Sequence, residues 1–188
     1  MNQTEFKNID PPFWVAWNQA LASIRVRFLR HTITGIGIAL GIAFFASGLT
    51  MRLSEKSEAA NPGDSDRLLW LVATSLVMCL VGVTNSMLMS VTERYREIGT
   101  IKCLGASDGF IVKVFFLESA VLGAIGSFVG ALMGAVLMKF VSGASLSTVG
   151  LVILVGTGTG IVMTVLAAIA PAVQAARMPA AAALRVEV

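Results

Sequence analysis

The chain has 188 residues, 56% hydrophobic and 13% charged, and a mean hydropathy of +0.81. A soluble domain of this size cannot be so apolar, so the composition predicts an integral membrane protein. The net charge of +3, from 14 basic and 11 acidic residues, calls for no nucleic-acid partner.

Residues 1–9 are polar, and Asp10 followed by Pro11 predicts a helix start. Beyond it, Trp17, Leu21, Ile24 and Phe28 recur at helical spacing with Arg25 and Arg27 placed elsewhere. That pattern predicts an amphipathic helix lying in the membrane plane, within a first region of residues 1–31. His31, the one histidine of the chain, has no metal-ligating partner in sequence and is placed at the membrane boundary.

Uncharged runs of membrane-crossing length follow, because about 20 apolar residues at ~1.5 Å each cross ~30 Å of hydrocarbon. They predict four spans, at about 32–51, 68–91, 114–138 and 150–171, within a region of residues 32–188. The expected fold is therefore all-α, four transmembrane helices plus the N-terminal in-plane helix. Gly37 and Gly41 in the first span, and Gly126, Gly130 and Gly134 in the third, stand four residues apart, a spacing that lets helices approach closely. Gly156, Gly158 and Gly160 are read as packing residues, since no strand precedes them and no Lys-Ser/Thr follows. Pro171 is expected to kink or end the fourth span.

The connections 52–67 and 139–149 are too short to fold as domains. Basic residues divide unevenly about the spans: Lys7, Arg25, Arg27, Arg30, Arg94, Arg96, Lys102, Lys113, Arg177 and Arg185 on one side, Arg52, Lys56, Arg67 and Lys139 on the other. The positive-inside bias then predicts cytosolic N- and C-termini in a cell (inner) membrane. Cys79 falls within a span and Cys103 in a cytosolic loop, so no disulfide is expected. Asn85 and Glu118, near the inner ends of spans two and three, are expected either to form a buried hydrogen-bonded pair or, for Glu118, to snorkel to the interface. No nucleophile with a base and no metal-ligand cluster is legible, so no catalytic or metal residue is assigned.

Between the second and third spans, at about 92–108, lies the most charged stretch of the chain, with Glu93, Arg94, Arg96, Glu97 and Lys102. Read as helix, Glu93 with Arg96 and Arg94 with Glu97 form (i, i+3) pairs, and Ile98, Ile101 and Leu104 form a narrow apolar stripe. A stripe of this kind fits a protein groove. It should supply most of the docking energy, since burying an Ile or Leu contributes roughly 1.5–3 kcal/mol and an exposed ion pair about 0–1.

The run from Asn85 and Met87 through Glu93, Arg94, Arg96, Glu97, Ile98 and Gly99 to Lys102, Leu104, Gly105, Ala106 and Ser107 resembles the cytoplasmic loop of the FtsX/MacB-like ABC-transporter permeases. Residues 175–187 are similar to the same family's closing segment. The resemblance implies a mechanotransmission-type permease subunit whose loop, from Glu93 to Ser107, acts as a coupling helix on a separate ABC ATPase that holds ATP and Mg. It implies no cofactor on this chain, a second permease chain of the same or another kind, and an adaptor or other extracytoplasmic partner. The expected work is export or extraction of a hydrophobic or extracytoplasmic substrate. The alternative is an FtsX-like signal relay acting on a partner such as a cell-wall hydrolase, without transport. The sequence departs from well-known members in lacking a large extracytoplasmic domain after the first span.

Overall fold

The computed structural model describes residues 13–55, 62–143 and 145–177. The predicted helix start at Asp10 and the C-terminal motif beyond residue 177 lie outside these residues. Six helices follow one another: α1 (Phe13–Val26), α2 (Phe28–Glu55), α3 (Pro62–Glu93), α4 (Tyr95–Cys103), α5 (Asp108–Ser142) and α6 (Leu146–Ala176). Four of them, α2, α3, α5 and α6, are long and apolar enough to cross a membrane. The chain is thus an all-α, four-span membrane protein with a small N-terminal helix beside the bundle.

Local chemistry sets the breaks. Gly105 ends α4 with φ +94°, a conformation that a side chain would strain, and Ser107 caps α5 by accepting from the Phe110 N–H at 3.1 Å. Gly143 closes α5 in the left-handed region, and Ser145 caps α6 from the Thr148 N–H. Single residues, Arg27 and Arg94, interrupt α1/α2 and α3/α4.

Helix α5 is the most buried of the four spans and α3 the least. Two ladders of small residues fix α5 to its neighbours. A Cβ at Gly126, Gly130 or Gly134 would run into the α2 backbone at Gly35, Ala39 and Ala43, and at Gly130 it would lie 2.8 Å from the Ala39 Cα. On α6, Gly156 and Gly160 lie against Ala131 and Ser127 of α5, while Gly123 of α5 faces Thr164. The partner of the third-span glycines is therefore Gly35-Ala39-Ala43, not Gly37-Gly41. Gly41 packs on Cys79 of α3, whereas Gly37 faces open space in a cleft of about 390 Å³ between α2 and α3.

Pro171 does not end α6, which runs on to Ala176 as one helix. Proline removes the donor that would bond the carbonyl four residues back, that of Ala167. The Thr84 hydroxyl of α3, which donates to the Leu80 carbonyl at 2.8 Å, also reaches this carbonyl at 3.4 Å, so a neighbouring helix offers the freed acceptor a shared donor.

Helix α1 buries Ala16 on Phe110 and Val114 of α5 and also buries Ala20, and of the predicted face Leu21 and, at the start of α2, Phe28 are exposed while Trp17 and Ile24 are half-buried. Phe13 and Trp14 look outward, because the small residues alone allow the close approach.

Candidate site: a buried ion cluster at the hinge of α4

At the end of the bundle that carries α1 and α4, the ends of α1, α2, α3 and α4 converge on Glu118 of α5, whose side chain is 0% exposed. A buried carboxylate demands compensation, and Arg94 supplies it. The guanidinium donates to both carboxylate oxygens, Nη1 to Oε2 at 2.8 Å and Nη2 to Oε1 at 2.9 Å. Such a two-pronged pair fixes geometry as well as charge. Ser23 of α1 adds a hydroxyl donor to Oε1 at 3.3 Å, and His31 of α2 brings Nε2 to 3.2 Å from the same oxygen without the alignment of a hydrogen bond. Arg94 also stands over the Phe115 ring, 6.0 Å from its centre.

A second, more exposed layer surrounds this pair. Arg27, in the α1/α2 break, bonds Glu93 at 2.8 Å and Glu97 at 3.1 Å, and Arg30 pairs with Glu93. Lys102 of α4 meets Asp108 at 2.8 Å and the Ala176 carbonyl of α6. The two one-residue breaks thus face each other, and α4 is tied to the α1/α2 break through Glu97 and to α5 and α6 through Lys102.

The residues picked from sequence divide into three groups. Arg94, Ile98 and Gly99 point inward: Ile98 is buried beside Val91, Ile111 and Phe115. Glu93, Arg96 and Glu97 are exposed, and Leu104 is 83% exposed. Gly105 and Ser107 serve the turn and cap that launch α5, with Ala106 half-buried between them, and Lys102 holds two partners.

Two expectations are corrected. The stripe Ile98-Ile101-Leu104 is not one docking edge, because steps of three residues drift around a helix and carry Ile98 into the bundle and Leu104 out of it. Glu118 does not pair with Asn85, which lies exposed on α3. Val83, Met87, Ser90, Val91 and Arg94 form the inward face of that helix, and Asn85 stands two residues, about 200°, away from either Val83 or Met87. Arg94 was legible only as a surface charge, and His31 and Ser23 gave no signal in sequence, since all three meet Glu118 across long separations.

Beside this cluster a cavity of about 230 Å³ separates α1 from α4 above an α5 floor, lined by Ser23, Arg27, Arg94, Ile98, Phe110 and Phe115 among others. Among the described residues no group of histidine, cysteine and carboxylate side chains is placed to hold a metal. What the arrangement offers is an amphipathic helix tied at its start, through Arg94, to the central span.

Residues 70–180 match the FtsX-like permease C-terminal family. The chain is similar to the uncharacterized ABC transporter permease YknZ of Bacillus subtilis, 52% identical over 60 residues, which are 32% of this chain and 15% of the relative. It is also similar to the uncharacterized ABC transporter permease MJ1507 of Methanocaldococcus jannaschii, 39% identical over 71 residues, 38% of this chain and 18% of the relative. To the macrolide export ATP-binding/permease protein MacB of Nitrobacter winogradskyi it is 39% identical over 83 residues, 44% of this chain and 13% of that protein. The matched stretches therefore span less than a fifth of these relatives' own length.

Proposed function

Because the match over residues 70–180 takes in more than half of the chain, the protein belongs to the FtsX-like permease family, and from that premise we propose that it is the membrane subunit of an ABC transporter driven by a separate ATPase. The observation that carries this reading is the two-sidedness of α4. Its inner face, Ile98 and Gly99, is buried in the bundle, while Arg96, Thr100, Cys103 and Leu104 form an outer face open to a partner. By the positive-inside bias this end lies in the cytosol, where an ATPase would meet it.

In this mechanism ATP and Mg are held by the ATPase, and closure of the ATPase pushes α4. The push turns α4 about Arg94 and reaches α5 through Glu118, and α1 and α2 through Arg27 and Arg30. The α2/α5 and α5/α6 ladders leave no room for a polar pore between those helices, which favours tilting of packed helices over passage through one chain. A second permease chain would then complete the path, and the substrate would be hydrophobic or already extracytoplasmic, exported or extracted at the outer face.

The test is purification of the tagged chain from its native membrane in mild detergent. An ABC ATPase should co-purify, and Leu104→Asp combined with Arg96→Glu should release it while the permease stays folded, because both side chains face outward. Absence of any ATPase, or its full retention by the double variant, would overturn the proposal.

A further inference from the structure

We infer that His31 is the reserve partner of Glu118: it takes the carboxylate when the Arg94 guanidinium is drawn away with α4, and so keeps α5 tied to α2 while α4 moves. The inference rests on the transporter reading only for what moves α4. Three independent observations carry it.

First, Glu118 cannot be left alone. Its side chain is fully buried, and an ion pair in that setting that loses one partner leaves an uncompensated charge. Arg94 is the residue whose position changes first if α4 turns, since it is itself the break between α3 and α4.

Second, the guanidinium has somewhere to go. The cavity of about 230 Å³ between α1 and α4 is lined by Arg94. Its Nε is buried without a hydrogen-bond partner, so one donor of the guanidinium is not used by the grip on Glu118. Arg94 can leave Glu118 without unpacking α5.

Third, a replacement donor already waits. His31 is 5% exposed, its Nε2 is 3.2 Å from Glu118 Oε1, and that nitrogen has no aligned partner. A small rotation of the ring lets an Nε2–H donate to the carboxylate. Arg27 and Arg30 hold Glu93 and Glu97 in the outer layer, and although Arg30 keeps a buried Nη1 without a hydrogen-bond partner, it is His31 that stands 3.2 Å from Glu118 Oε1. His31 belongs to α2, so a bond from it to Glu118 holds α5 to α2 as α4 departs. His31 is in this sense a positioning residue.

The chain has one histidine, so protein labelled with ¹⁵N in histidine alone and carrying a histidine-free tag yields a single imidazole in the NMR spectrum. In the native protein Nε2 should show the resonance of a nitrogen without a strong hydrogen bond. Arg94→Gln should shift it to the position of a nitrogen donating to a carboxylate, and the shift should vanish in Arg94→Gln/Glu118→Gln. Arg94→Lys, which keeps a cation but loses the fork, is the gentler arm and should shift Nε2 in the same direction by less; it carries the test if Arg94→Gln does not fold. An Nε2 resonance unmoved in both Arg94 variants, or moved equally when Glu118 is Gln, would overturn the inference. No ATPase enters this experiment, so its failure is distinct from failure of the docking test.

Discussion

The Arg94 guanidinium grips both oxygens of the Glu118 carboxylate across 24 residues of chain, from a hinge between two helices to the core of the central span. This relationship inverts the expectation for Arg94, which as an exposed pair would be worth about 0–1 kcal/mol. Removing one member of a buried pair costs roughly 3–5 kcal/mol, whereas replacing both with apolar residues of similar volume is often neutral. Arg94→Ala and Glu118→Ala should each lower the thermal unfolding midpoint in detergent strongly. Arg94→Met/Glu118→Met should recover most of the loss. A loss in the double variant equal to the sum of the two single losses would show that the pair does not act as a unit.

The small-residue ladders separate glycines that look alike in sequence. A methyl at Gly130 or Gly134 meets the α2 backbone, and overpacking of this kind costs about 1–3 kcal/mol. Gly37 meets nothing within 4 Å, and alanine in a helix is favoured over glycine by about 1 kcal/mol. Gly130→Ala and Gly134→Ala should therefore destabilise, while Gly37→Ala should be neutral or stabilising, as read by thermal scans of the purified chain. The ranking is refuted if Gly37→Ala is the most harmful of the three.

Thr84 and Pro171 form a coupled pair through a carbonyl that belongs to neither. Thr84→Val removes the donor to Ala167, at a cost near the ~0.6 kcal/mol average for such bonds in membrane bundles. In a Pro171→Ala background the helix can bond that carbonyl itself, so the same Thr84→Val change should cost nothing. A double-mutant cycle on unfolding free energy reads the difference. Full additivity of the two changes would sink the account.

Cys103 is exposed on α4 and Cys79 is buried between α2 and α3. With α4 on the cytosolic side, a membrane-impermeant thiol reagent should label neither in intact cells and Cys103 alone in inverted vesicles. A cysteine placed at Ser57 should label in intact cells. Labelling of Cys103 from outside would reverse the orientation.

The sequence by itself settled the architecture. Four runs longer than the hydrocarbon is thick can only be spans, because an unbonded backbone is not tolerated there, and Gly105 and Ser107 announce the turn into α5 through their own local conformations. Sequence also marked 92–108 as the distinctive stretch. It did not settle which face of each helix meets which. Gly37-Gly41 and Gly35-Ala39-Ala43 sit on the same helix, and composition cannot choose between them; the rotation of α2 against α5, fixed by where two backbones can approach, made the choice. The rotation of α3 turned Asn85 outward and Arg94 inward, and the packing of the helices gathered Ser23, His31 and Arg94 around the Glu118 carboxylate. A buried charge finds its partners in space, so only the tertiary structure could name them.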